Sequence, residues 1–493
     1  MEEPVEKWLI PDNFPSIGYI DVDRPVIDRD VPKDPLVGLL PKWKDTLEYT
    51  PAIWTPQAYG KSFEKFFYRE PQENIKEKYP DCWKFAVWAT VREYGFLRNT
   101  VLIPITATDK NTDSTPAFPK AFYYKTELEY LEEHGFRPYI QQWEAVESGA
   151  RPTPLWYLFL KKEILKKKKV NDNDIRQILC TDPAFSRIGL MFEQHQNKLM
   201  KEDTERRHGQ CGWSPYEGGW HRTLSRLEKP GNKYIEMDWS RYDGTIPEEV
   251  FMQIKDIRFG FLSPEYRTRK NKDIYKWYCH NLLHRKVLLP SGEITEQHRG
   301  NPSGQVSTTM DNNMVNTFLQ AFEFMYLNKY IIDEAKEKWE NYDTIVYGDD
   351  RISSSPSVPP DYATSVIDMY ADIFGMWVKP ENVKIFDTLE GVSFCGFTNI
   401  KNKGMYLPVP TNVNKLIASL VTPCRKLPDL EALYGKVISF KVLMHNLPDD
   451  DPGKEFLLNC EISLKRHMDN AGQQPVRFTE SMLDYLWRGG PKR

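Results

Sequence analysis

The chain has 493 residues, 40% of them hydrophobic and 13% aromatic, with 66 Lys+Arg against 70 Asp+Glu and a formal charge of −4. Such a composition can offset the entropy of ordering a long chain, which excludes disorder as its main state, and its length suits about three average domains or one interlocked unit. The near-neutral balance excludes a protein that binds nucleic acid over its whole surface, but it allows a basic channel inside a neutral shell. Seven scattered cysteines without a C-x-x-C pair argue against a disulfide framework or zinc ribbon and fit a reducing compartment.

In chain order, the acidic, proline-bearing start MEEPVEKWLIPDNFP is expected to be neither a signal nor a transit peptide. The first hundred residues, rich in Pro and Trp (Pro32, Pro35, Trp43, Trp54, Trp83, Trp88), read as an irregular arm whose aromatics pack into a core. Residues 104–120 read as a loop, with a helix near Lys125–Glu133. Residues 155–169 pass from an apolar run into LKKEILKKKK, and KYIEMDW alternates as a strand around Tyr234–Trp239. A helix follows from Pro247, a long helix covers 305–330, and TIVYGDDRISS reads as a β-hairpin. A helix over Tyr362–Phe374 precedes a strand at 392–397, and helices dominate from Thr411. No stretch approaches the roughly 20 apolar residues of a membrane span, so a cytosolic-type chain without direct membrane insertion is expected.

Three segments carry chemistry. A Gly-Asp turn would hold Asp349 and Asp350 rigidly at a hairpin tip; alone, such a turn is more often a surface turn. Asp238-Trp239-Ser240-Arg241-Tyr242-Asp243 places one carboxylate at a strand end and another five residues on. Carboxylates from separate strands suit two Mg²⁺ ions about 3.5–4 Å apart, as phosphoryl transfer requires. Between them, Gly300, Pro302 and Gly304 form a flexible loop before a helix on which Ser303, Thr308 and Asn312 could converge on a ribose hydroxyl. His280 and His284 have metal-like spacing, but Asn281 stands where a zinc protease needs Glu. Cys395 reads as a packed thiol.

The ordered set D-x4-D, S-G-x3-T-x3-N and Y-G-D-D resembles motifs A, B and C of the RNA-dependent RNA polymerases of positive-strand RNA viruses. The wider wording GNPSGQVSTTMDNNMVN, YGDDRISSSPSVP, FGMWVKP and SFCGFT is similar to the astrovirus members in particular, with calicivirus and picornavirus polymerases as further relatives. The likeness spans at least residues 155–410. It implies a mixed α/β right hand: arm and fingers over 1–230, palm with motif A over 231–260, a fingers insertion over 261–299, palm with motifs B to E over 300–410, and a helical thumb over 411–493. The N-terminal arm is expected to reach the thumb and close the hand.

By that likeness Asp238 and Asp349 are the principal metal ligands and Asp350 an accessory one, for Mg²⁺ with Mn²⁺ able to substitute. Asp243 would read the 2′-hydroxyl of the incoming nucleotide, supported by Ser303 and Asn312. Lys161 and Arg176 match motif F, which neutralises the triphosphate, although Lys162 and Leu165 stand where relatives have Asp and Arg. The motif D lysine, which protonates departing pyrophosphate, is Lys384, with Lys379 open because one residue is inserted relative to the commoner P-x-D-K. Phe394, Cys395 and Gly396 match the primer-gripping motif E, Thr115 begins a motif G-like template loop, and Gly304 lies in the template-facing loop of motif B. Arg241, a Gly in picornaviruses, either contacts phosphate or pairs with a carboxylate. The implied partners are RNA template and nascent RNA, nucleoside triphosphates, a genome-linked protein primer (VPg) and other viral replication proteins, in host cytoplasm at membrane-associated complexes reached through partners. A reverse transcriptase is opposed by Asp243, where those enzymes carry a bulky aromatic. A non-catalytic RNA-binding factor is opposed by the intact aspartates.

Overall fold

The computed structural model describes residues 9–22, 34–43, 48–66 and 73–490. Pro32 and the first eight residues of the acidic start lie outside them. The first hundred residues are not an irregular arm throughout. Pro80 opens a 14-residue helix, α1 (Pro80–Glu93), that buries Trp83, Phe85, Ala86 and Ala89. A proline in the first turn loses no hydrogen bond, because that N–H has no helical partner anyway. Residues 104–120 are largely loop, and the helix expected near Lys125 spans Glu127–His134, where the Thr126 hydroxyl accepts the Glu129 N–H at 3.2 Å.

The apolar run of 155–169 is a strand, Leu155–Leu160, and the basic part divides into a strand Ile164–Lys166 and a short helix Lys167–Asn171. Leu155–Leu160 belongs to a five-stranded sheet with Gly18–Tyr19, Glu293–Gln297, Arg285–Leu288 and Gln177–Cys180. Helix α2 (Pro183–Glu202) follows, capped by the Asp182 carboxylate.

A second sheet positions the acidic segments. Strand β1 (Lys233–Glu236) is shorter than its alternation suggests, because the chain leaves the sheet at Met237 and Trp239–Ser240 pairs separately with Trp377–Val378. After α3 (Glu248–Phe261) comes the buried helix α4 (Thr308–Leu327). It packs along α1, with Trp83 edge-on to Phe318 at 4.9 Å. Strands β2 (Asp343–Tyr347) and β3 (Asp350–Ser355) pair Tyr347 with Asp350, leaving Gly348-Asp349 as a two-residue hairpin loop. Adding β4 (Lys384–Phe386) gives an antiparallel order β2-β3-β1-β4. Ile352 lies opposite Glu236 in antiparallel register, so Asp350, two residues before Ile352, and Asp238, two residues after Glu236, lie toward the same end of the two strands. The hairpin tip and the end of β1 therefore share one end of the sheet.

The helix expected over 362–374 is present, α-helical to Met369 and closing in a π turn over Tyr370–Phe374. One further expectation is corrected. The run 392–397 is not one strand: Cys395 (φ 52°) and Gly396 (φ 80°) turn the chain, so that Phe394 pairs with Phe397 across a hairpin. Helices α5 (Val413–Val421), α6 (Leu430–Met444), α7 (Pro452–Asn470) and α8 (Glu480–Arg488) complete the chain. Ile417, Leu433, Val437, Leu457 and Leu464 form the shared core of α5, α6 and α7, and Leu40 of the N-terminal segment is buried in it. Trp43 meets Phe456 edge-on at 5.0 Å, and the Asp34 carboxylate accepts the Leu427 N–H at 3.1 Å. Residues 34–43 are thereby fastened to the C-terminal helices. Among the described residues, no helix is long and apolar enough to cross a membrane.

Candidate active site

Asp349 and Asp350 reach solvent from a recess walled by protein. That burial, together with Asp349, Asp238 and Glu236, pushes the Asp350 carboxyl up to about 7. Asp349 is raised in the same way, by burial and then by Asp243 and Asp238, with Arg176 opposing. Carboxylates that crowd each other in this way form a donor set that a divalent cation relieves, so these residues fit Mg²⁺. Asp238 is turned aside: its carboxylate accepts from Lys379 at 2.9 Å and Asn382 at 3.3 Å. Among the described residues, no three His, Cys, Asp or Glu side chains already converge on a cation position. A cation on Asp238 must therefore compete with Lys379.

Beside this lies a second cluster. One Asp243 oxygen accepts from Asn312 at 2.8 Å and the other from Ser303 at 2.9 Å. The loop that delivers Ser303 is held by two glycines. Gly300 (φ 84°) would bring a Cβ to 2.6 Å from the Asp243 carbonyl oxygen, and Gly304 (φ 120°) to 2.2 Å from that of Leu179, so neither tolerates a side chain. Thr308 is not aimed at Asp243; its hydroxyl donates to the Gln305 carbonyl at 2.9 Å and closes the turn into α4. Arg241 takes the second of its two sequence readings, pairing with Glu64 at 3.4 Å.

The adjacent Lys65 is a residue that sequence reasoning missed. Its Nζ donates to Ser303 Oγ at 3.1 Å, and burial lowers it to about 8 although Asp243 pulls the other way. It comes from the N-terminal segment, far away in sequence, and no local motif marks it. Three more support the hairpin from polar side chains of α4 and β3. Asn313 accepts the Gly348 N–H at 2.7 Å and Asn316 donates to the Gly348 carbonyl at 3.1 Å, so α4 clamps the hairpin loop from both sides. Arg351, next to Asp350, makes a buried two-pronged bond to Glu323 of α4 at 2.9 and 3.0 Å, which ties β3 to that helix.

Lys161 and Arg176 come together on neighbouring backbone, sharing Glu163 at 3.5 and 2.5 Å. Lys384 lies opposite Glu236 in the sheet, its Nζ 3.8 Å from that carboxylate. Phe394 is buried in an apolar cluster with Leu389 and Val392, so its ring is not free for an external contact. Cys395 is exposed, not packed. Thr115 makes a local turn contact, accepting the Ala117 N–H at 3.2 Å, and among the described residues it has no bond to the carboxylates. His284 bonds Glu248 at 2.9 Å and His298 at 3.0 Å.

The sequence matches the family described as viral RNA-dependent RNA polymerase over residues 7–421, and the chain belongs to that family of nucleotidyltransferases. It is 52% identical over 496 positions to the non-structural polyprotein 1AB of ovine astrovirus 1, covering 100% of this chain and 37% of that protein. The corresponding polyprotein of human astrovirus-1 is also 52% identical (100% and 34% covered), and that of turkey astrovirus 1 is 46% identical over 483 positions (97% and 30%). The chain thus spans about a third of the length of these relatives. In three dimensions it is similar to the Sicinivirus 3Dpol RNA-dependent RNA polymerase, with a TM-score of 0.68 at 15% identity over 95% of this chain and 98% of that one. At that identity the likeness establishes a shared right-hand fold.

Proposed function

We propose that the chain replicates and transcribes the genome of a positive-strand RNA virus by template-directed attack of an RNA 3′-hydroxyl on a ribonucleoside triphosphate, releasing pyrophosphate. The observation that carries this reading is the meeting of Asp238 and the Asp349-Asp350 hairpin at one end of the sheet, beside an Asp243 held by Ser303 and Asn312. Asp238, Asp349 and Asp350 would hold Mg²⁺ or Mn²⁺, which when bound supplies Lewis-acid activation and charge neutralisation at the reacting phosphate. Lys161, Arg176 and Lys65 face the triphosphate, Cys395 and Gly396 the primer end, and Gly304 and Thr115 the template. The segment 34–43 closes the hand by bridging to the thumb helices. VPg and other viral replication proteins are the expected partners, in host cytoplasm at membrane-associated complexes.

Asp243 supplies the discriminating test. A site built to bond a hydroxyl rejects the analogue lacking it, because its own polar groups are left unpaired. On a primed RNA template, Asp243→Ala should therefore lower the ribo- over deoxynucleotide preference in kcat/KM by about 10²-fold or more. An unchanged preference would refute the ribose reading.

For pyrophosphate departure we assign proton donation to Lys384 and charge balance on Asp238 to Lys379. Lys384→Leu should slow incorporation about 10²-fold with nucleotide KM unchanged. Lys379→Leu should tighten Mn²⁺ binding, followed by electron paramagnetic resonance, because it removes the competing cation. The reverse pattern would exchange the two roles.

A further inference from the structure

The Asp243 pocket is backed by two buried amides that the mechanism so far leaves without a task. Asn301 stands between Gly300 and Pro302, and Gln305 lies one step beyond the glycine that ends the loop. Asn301 Nδ2 donates to Asn312 Oδ1 at 2.9 Å and to the Thr308 carbonyl at 3.1 Å, and its backbone N–H donates to the Asp243 carbonyl at 2.7 Å. Asn301 Oδ1 accepts from Gln305 Nε2 at 3.0 Å. Gln305 Nε2 also donates to Asp311 at 2.8 Å, while its oxygen accepts the Ser307 N–H at 2.8 Å. Every side-chain donor of both amides is committed, so neither can rotate without losing bonds in a buried site, where an unpaired polar group is costly.

The direction of this chain decides what Asn312 presents. With Asn301 donating to Asn312 Oδ1, the Asn312 amide must aim its NH₂ at Asp243, as it does at 2.8 Å. Flipped, Asn312 would set NH₂ against NH₂ on one side and oxygen against the Asp243 carboxylate on the other. Asp311 in turn is held by Lys255 at 2.6 Å and Arg258 at 2.8 Å, so the chain ends on a buried ion cluster that cannot drift.

The geometry points to Asn301 and Gln305 as positioning residues for sugar selection. They fix the amide orientation of Asn312, and through it they keep Asp243 at the angle that reads a ribose 2′-hydroxyl. This rests on the ribose reading of Asp243 given above. Neither residue touches substrate.

The test compares ribo- and deoxynucleotide kcat/KM on a primed RNA template for the wild type, Asn301→Leu, Asp243→Ala and the double variant, with melting temperatures recorded. Asn301→Leu keeps the branched heavy-atom outline, though in a bulkier side chain, and removes both the donor and the acceptor. It is expected to lower the ribonucleotide preference about tenfold, the scale of one lost hydrogen bond. The loss should appear in ribonucleotide KM, with deoxynucleotide incorporation unchanged and no further loss in the Asp243→Ala background. Equal losses for both sugars, an unchanged preference, or an undiminished effect in the Asp243→Ala background would overturn the proposal. If Asp243→Ala itself leaves the preference unchanged, the ribose reading falls first and this one with it. Gln305→Met, which cuts the anchor of Asn301 while keeping its own length, carries the same expectation should Asn301→Leu fail to fold.

Discussion

Asp349→Ala should lower single-nucleotide incorporation by about 10³-fold or more if, as proposed, it removes a metal ligand that organises charge around the reacting phosphate. The same substitution should leave the melting temperature equal or raised. Asp349 sits in a recess beside Asp238 and Asp243, which together with burial raise its carboxyl, so its removal relieves repulsion in the free protein. The hairpin does not depend on that side chain: Asn313 and Asn316 hold Gly348, and Arg351 is bonded to Glu323. Loss of activity without loss of stability is the mark of a site built for function at a cost to the fold. Rapid-quench kinetics and thermal unfolding on one preparation separate the two effects. A rate within tenfold of wild type would remove Asp349 from the metal ligands, and a lowered melting temperature would make its role structural.

The largest stability effect is expected behind the site. Glu193, Lys255, Arg258 and Asp311 are all buried and form a closed set of two anions and two cations. Tyr275 and Ser307 add bonds to Glu193 at 2.7 and 2.9 Å. Asp311→Ala leaves two buried cations facing one carboxylate, a change of the kind that costs about 3–5 kcal/mol. Urea unfolding measures it, and a loss below about 1 kcal/mol would contradict the account. The cluster also predicts a pH dependence. Burial alone would push Glu193 up, but Arg258 and Lys255 overcome it and hold the carboxyl below its ordinary range. A depressed acid contributes stability above its unfolded pKa, and this is lost as pH falls through the folded value. Glu193→Gln should therefore flatten the loss of stability as pH falls below the ordinary carboxylate range.

The elements that carry chemistry were the most legible in sequence. The hairpin about Gly348, the strand before Asp238 and the helix bearing Asn312 all announce themselves through turn chemistry and periodicity. Their boundaries moved where backbone geometry overrides side-chain pattern, as at Cys395-Gly396, whose left-handed turn hides inside an apolar run. The reading of the first hundred residues as an irregular arm failed at Pro80–Glu93 for a related reason, because a proline that starts a helix looks the same in sequence as one that forbids it. Asp243 and Ser303 were readable as a pair, whereas Lys65 was not, because its proximity to them is created only when the N-terminal segment folds onto the loop. Thr308 fitted the helical spacing but spends its hydroxyl on the loop carbonyls. Spacing tells which residues share a face, and it cannot tell which of them find a nearer acceptor.

Template-directed RNA synthesis is read out by giving the purified chain a primed RNA template with Mg²⁺ and one labelled nucleotide at a time. Extension is expected from the ribonucleotide complementary to the next template base, and little from its deoxy analogue or from the three mismatched ribonucleotides. Extension that ignores the template base, or that proceeds equally with deoxynucleotides, would contradict that expectation.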